Sequence, residues 1–169
     1  MARQIRAHDY PCSVLTIDDR WESCFGDLRF SGDFPDPGAM TEQLRALGFK
    51  TFLWVTPFVN KEAASFDELQ ARGYLVRRTD SDGASLFRWW GGEAGLIDCT
   101  NPAAAEWFEG RLRNLKEQSG IEGFKIDGGD AKYQPSAAHS RWFDYQGPSG
   151  YVKRLLHVFE KVAPFSLES

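Results

Sequence analysis

Of three short segments, the first and third alternate apolar and polar residues with a period of two and the second is a short apolar run, while longer segments between and after them repeat with a period near 3.6. The first short segment is Cys12-Ser-Val-Leu-Thr-Ile-Asp-Asp19, the second Thr51-Phe-Leu-Trp-Val-Thr-Pro57, and the third Glu122-Gly-Phe-Lys-Ile-Asp-Gly-Gly-Asp130. Residues two apart on a strand share a face. Thr16 and Asp18 are therefore expected on one side and Leu15 and Ile17 on the other. Phe52, Trp54 and Thr56 oppose Leu53 and Val55, with Pro57 as a stop, and Lys125 and Asp127 oppose Phe124 and Ile126. Three helices are predicted. Residues 37–48 carry Met40, Leu44 and Leu47 at helical spacing, with Gly48 as a C-terminal stop. The second runs from Pro102 to about Gln118 behind the capping candidate Asn101, with Trp107, Phe108, Leu112 and Leu115 on its apolar face. The third spans 148–162, with Tyr151, Leu155, Leu156, Phe159 and Val162 inward.

Strand and helix thus alternate, and carboxylates stand at the ends of the first and third strands. This pattern predicts a parallel sheet and favours a (β/α)₈ TIM barrel over a doubly wound sheet. Gly91-Gly92 and Gly128-Gly129 lack the G-x-G-x-x-G spacing of a dinucleotide site. A complete barrel takes about 250 residues, and these 169 yield three to four β/α units. Residues 1–169 are accordingly expected to be a single, incomplete piece of a larger catalytic domain, with residues 1–8 as the tail of a helix. The irregular stretches, Trp21 to Asp36, Arg78 to Gly95 and Gly128 to Gly147, are expected as loops over the face that carries the carboxylates.

A lysine and an aspartate at a strand end fit an ion-paired turn as well as a reactive site. The same design in the two earlier strands favours the site. Composition narrows the chemistry. The chain is 42% hydrophobic and 14% aromatic, with net charge −4 and no long apolar run, so neither a membrane span nor a nucleic-acid partner is expected. Thirteen Phe and six Trp suit a carbohydrate pocket. Cys12, Cys24 and Cys99 show no C-x-x-C spacing, and Cys99 reads as core filler. His8, His139 and His157 are scattered without ligand spacing, so no metal and no cofactor is expected.

The order of these motifs resembles glycoside hydrolase family 31. The matching residues are Leu15-Thr-Ile-Asp18, Phe34-Pro-Asp36 with Met40-Thr-Glu-Gln-Leu44, Leu53-Trp-Val-Thr-Pro57, Asp98-Cys-Thr-Asn-Pro102 and Phe124-Lys-Ile-Asp127. Lys125 stands where the α-glucosidases of that family usually carry Trp, Gly128-Gly129-Asp130 where they tend toward Met-Asn-Glu, and Thr56 where they have Asp. These departures resemble a branch closer to α-galactosidases. The resemblance implies a retaining glycosidase acting on an oligosaccharide or glycoside, with Asp127 as nucleophile. It implies Asp18, Trp54, Trp90 and Lys125 as substrate-binding residues, although Asp18 also fits a pair with Arg20 or another barrel-mouth cation and Trp54 also fits core packing. Lys125, two residues from Asp127 on the same strand face, is expected to hold the pKa of Asp127 down. Of the pair Trp89 and Trp90, one is expected to stack on sugar and the other to anchor the loop. Asp98 and Asn101 are expected to organise the second helix, and Asp130 to bond within the loops. Asp144, Glu160 and Glu168 do not match the context of an acid/base, which is therefore expected outside this chain. A secretory-pathway, membrane-anchored parent is also implied. Two other readings stay open: an α-galactosidase of families 27 or 36, which share the Lys-x-Asp strand, and a non-catalytic sugar-binding or structural fragment.

Overall fold

The computed structural model describes residues 1–78, 80–134, 138–139, 148–164 and 167–168. In chain order the elements are α1 (Ala2–Ala7), β1 (Val14–Ile17), α2 (Pro37–Ala46), β2 (Lys50–Val55), β3 (Phe58–Asn60), α3 (Phe66–Arg72), β4 (Arg77–Arg78), β5 (Leu86–Trp89), β6 (Gly92–Leu96), α4 (Pro102–Ser119), β7 (Gly123–Ile126), β8 (Ala138–His139), α5 (Pro148–Val162) and β9 (Leu167–Glu168). The main sheet runs β1-β2-β7-β9 and every pair in it is parallel. It is an open, partial (β/α) barrel: among the described residues the four strands do not close. β3, β6 and β5 form a separate antiparallel sheet between β2 and α4, and β4 pairs with β8.

Helix ends follow the sequence chemistry. Asp36 accepts from the Ala39 amide at 2.9 Å and Asn101 from the Ala103 amide at 3.0 Å, each directly before a proline that needs no amide partner. Gly120 closes α4 at φ 71°, a conformation that a Cβ disfavours. Leu53, Val55 and Phe124 are fully buried on one face of the main sheet. Phe159 of α5 meets both Phe124 of β7 and Phe108 of α4 with ring centroids 5.7 Å apart, which locks the two helices to the sheet. The opposite face carries Thr16, Phe52, Trp54 and Lys125. There the Phe52 ring lies over Gly123, where a Cβ would come within 2.6 Å of it.

The structure differs from the sequence pattern in several places. The first strand is four residues long, and its neighbour α1 is held by Arg6, which donates to the Leu47 carbonyl at 2.7 Å and lies 3.7 Å above the Phe49 ring. Met40, Leu44 and Leu47 are only half-buried. Thr41 is instead the buried residue of α2, because its hydroxyl donates to the Ser119 carbonyl at the end of α4. In α5 the buried set includes Val158, and Leu156 is half-buried. The stretch from Arg78 to Gly95 is not a plain loop. It contains β5 and most of β6, joined by Trp90-Gly91, with Gly92 at φ 132° permitting the tight reversal. The sequence pattern also missed β3 and α3; α3 buries only Phe66 and Leu69 along seven residues, too little to register as a helical repeat.

Candidate active site

Strand register brings the expected residues together. Ile17 pairs with Leu53 and Trp54 with Lys125, so Asp18, Trp54 and Lys125 form a row across three strands at their C-terminal ends. Asp127 stands two residues further along β7 on the same face, directly before Gly128 and Gly129 at φ 78° and 83°. At Gly128 a Cβ would lie 2.6 Å from both the Thr56 hydroxyl and the Phe58 ring, so only glycine fits there. The Gly128 amide donates to Asp127 Oδ1 at 2.7 Å, and the Trp54 indole Nε1 donates to Asp127 Oδ2 at 2.9 Å.

Lys125 does not serve Asp127. Its ammonium donates to Asp18 Oδ2 at 3.0 Å, while the Asp19 amide holds Asp18 Oδ1 at 3.0 Å. Burial pushes the Asp18 pKa up, but the hydrogen bonds from Lys125 and the Asp19 amide, with the lysine's charge, outweigh it and leave the carboxyl below its usual value. The expected partnership of Lys125 with Asp127 is thus corrected: sharing a strand face does not decide which neighbour a long side chain reaches, and Asp18 lies level with Lys125 while Asp127 lies beyond it. Arg20 engages Asp19, at 3.5 Å, not Asp18.

An aromatic cluster lies beside Asp127. Phe25, from the loop after β1, contacts Trp54, Trp89 and Trp90 at centroid distances of 5.9, 4.9 and 5.4 Å. Trp54 is 2% exposed and Trp90 62%. Trp89 is the loop anchor, since its Nε1 donates to Asn60 Oδ1 at 3.0 Å and Asn60 Nδ2 donates to the Gly91 carbonyl at 2.7 Å. A pocket of about 40 Å³ opens beside Asp127, walled by Trp54, Thr56, Phe58, Trp89, Trp90 and Tyr133. That volume holds roughly three waters, so a sugar ring would have to extend over the open face of the sheet. Phe25, Phe58, Asn60 and Tyr133 were not foreseen. The loop position of Phe25 after the first carboxylate was its one signal.

Glu22 was also missed. It is buried, and its carboxyl accepts from the Gly26 and Leu28 amides at 3.1 and 2.9 Å, in the loop that carries Phe25. Desolvation raises its pKa to about 7 against the pull of those amides. Asp98 accepts from the Thr100 amide and Asn101 caps α4, so both serve the helix start. Cys99 is buried, its thiol pushed up to about 12 by desolvation. Asp130 pairs with Lys132 at 3.6 Å at the pocket edge. Glu160 faces outward on α5, 3.3 Å from His157, and Asp144 lies outside the described residues. Among the described residues no cluster of His, Cys, Asp and Glu could hold a metal, and no helix is long and apolar enough to cross a membrane.

The chain is similar to several known proteins. The myogenesis-regulating glycosidase of Mus musculus is 42% identical over 160 residues, covering 94% of this chain and 22% of that protein. The α-xylosidase XylQ of Lactiplantibacillus pentosus is 29% identical over 149 residues, 85% of this chain and 19% of that protein. The chain therefore spans about a fifth of the length of these curated relatives. Among solved structures, a dextranase of Flavobacterium johnsoniae complexed with glucose superposes with a TM-score of 0.85 at 21% identity, over 95% of this chain and 21% of that one. Residues 1–158 match the family described as "Glycosyl hydrolases family 31 TIM-barrel domain". The chain belongs to glycoside hydrolase family 31, as a part of that family's TIM-barrel domain.

Proposed function

We propose that this chain supplies the nucleophile half of a retaining α-glycosidase, within a longer protein that adds the proton donor. Asp127 would attack the anomeric carbon and form a glycosyl-enzyme as the glycosidic C–O bond breaks, the leaving oxygen taking its proton from an acid contributed by other residues. Water would then release the sugar with net retention. The observation that carries this reading is the convergence of Asp18, Lys125 and Asp127 at the C-terminal ends of neighbouring parallel strands, beside a wall of Trp and Phe. In barrel enzymes that end of the sheet is where chemistry is placed. The Asp18–Lys125 pair offers both an acceptor and a donor to sugar hydroxyls, and the exposed face of Trp90 offers a stacking surface.

For the sugar itself we propose an α-galactoside. The relatives named above include an α-xylosidase, and a structural neighbour carries glucose, so the family accommodates several sugars. The α-galactoside reading rests on Lys125, which puts a hydrogen-bond donor where a tryptophan would leave an apolar wall, and on Thr56 and Gly128-Gly129 around it.

The test is hydrolysis of aryl α-galactoside, α-glucoside and α-xyloside by the full-length protein, with the anomer of the first product followed by NMR. Retention and the highest kcat/KM on the α-galactoside are expected, and Asp127→Asn should remove turnover while leaving the fold intact. An Asp127→Asn variant with near-normal rates would withdraw Asp127 as nucleophile. A preference for another sugar would withdraw only the galactoside.

A further inference from the structure

We infer that Trp54 is a positioning residue for Asp127, not a sugar-stacking wall. This rests on the reading of Asp127 as the nucleophile. Trp54 is 2% exposed, so its ring has almost no face left to offer a ligand, whereas Trp90 nearby is 62% exposed. Its indole is spent on the carboxylate: Nε1 donates to Asp127 Oδ2 at 2.9 Å. The ring is held on several sides, by Phe25 edge-on at 5.9 Å, by Trp89 nearly parallel at 6.4 Å and by Trp90 at 6.0 Å. The backbone beneath is fixed too, because the Trp54 carbonyl accepts from the Trp21 indole at 2.6 Å, and Trp21 is fully buried.

Asp127 is thereby gripped at both oxygens. Gly128 holds Oδ1, and Gly128 is itself clamped between Thr56 and Phe58. Two donors on opposite oxygens fix the plane of the carboxylate, so rotation about its last bond would break one of them. Both donors are neutral, and the cation that strand periodicity would assign to Asp127 is committed to Asp18. A nucleophile needs one of its oxygens aimed at the anomeric carbon at close range. Trp54 supplies the half of that restraint that comes from outside the nucleophile's own strand, across the β2–β7 pairing.

The distinguishing experiment uses the full-length protein and separates rate from binding. Trp54→Phe keeps an aromatic ring and loses the N–H. Its active sites are counted by trapping with a 5-fluoroglycosyl fluoride, so a misfolded fraction does not enter the rate. A hydrogen bond to a charged group being removed, kcat/KM per titrated site should fall about tenfold. The inhibition constant of the free monosaccharide should stay within about twofold, because no sugar contact is lost. Trp90→Ala should show the reverse, weaker monosaccharide binding with a smaller change in kcat. Should Trp54→Phe fail to fold, benzothienylalanine incorporated at Trp54 retains the bicyclic shape without the N–H and takes its place. An unchanged rate per titrated site, or a loss confined to monosaccharide affinity, overturns the inference. If Asp127→Asn keeps its turnover, the nucleophile reading falls first and this one with it; if Asp127→Asn is inactive and the Trp54 variant is not impaired, only the positioning role is lost.

Discussion

Glu22 is a carboxyl placed where ionisation is costly, yet it is tied to two backbone amides of the loop that carries Phe25. Its folded pKa of about 7 lies above its ordinary value of 4.5, with burial as the main cause and Asp27 adding repulsion. The folded state therefore holds the proton more tightly than the unfolded one. The stability this contributes is fully present below pH 4.5 and is lost as the pH rises through about 7, on the order of 3 kcal/mol at most. Glu22→Gln, which cannot titrate, should flatten the dependence. Hydrogen exchange at residues 22–30 of the full-length protein, corrected for intrinsic rates, should become faster between pH 5 and pH 8 in the wild type and stay level in the variant. Equal slopes in both would assign the effect to another group. Sequence alone showed none of this, since a glutamate in a loop gives no sign of whether it is buried. Asp18, Lys125 and Asp127 were legible because strand periodicity sets their face. Which carboxylate Lys125 reaches was not, because that depends on the register between β1, β2 and β7.

At the scale of elements, the helices with strong local signals were the readable ones. Asp36-Pro37 and Asn101-Pro102 mark two starts, and α5 repeats its buried residues at 151, 155, 158–159 and 162. The β5–β6 hairpin was hidden by its glycines, which resemble a loop until Trp89 pairs with Gly92. The β3–β6 ladder attaches the hairpin, and one side chain fastens its turn. Asn60 on β3 accepts from the Trp89 indole and donates to the Gly91 carbonyl, so it fixes both the anchor and the turn beneath Trp90. Asn60→Ala should leave two buried or half-buried polar groups without this partner and let Trp90 drift. Each lost neutral hydrogen bond is worth about 1 kcal/mol, so monosaccharide binding by the full-length protein should weaken about fivefold to tenfold, much as in Trp90→Ala. Combining the two variants should add little, since both act through one stacking surface. Additive losses would mean that Asn60 supports something other than Trp90.

The molecule as a whole is a sheet with helices on one face and chemistry on the other, and the chemical face is incompletely covered. β1 lies at the edge of the main sheet, and all four of its residues are only half-buried. An edge strand with open backbone donors and acceptors is a template for pairing with another chain. Lys125 and Asp127 share that open face, so what completes the sheet would also complete the site. Two consequences can be measured on the isolated 169-residue chain. It should self-associate, giving species larger than 19.1 kDa by light scattering, and lack a single sharp unfolding transition. It should also show no turnover of alkyl α-glycosides at any pH, because Asp127 can displace an alkoxide only if an acid protonates it, and the carboxyls described at the site are already engaged: Asp18 with Lys125, Asp130 with Lys132. Activity in a monomeric preparation of the chain would require a proton donor among its own residues. Asp130→Asn would then be the first variant to make, since among the described residues Asp130 is the carboxyl besides Asp127 that borders the pocket.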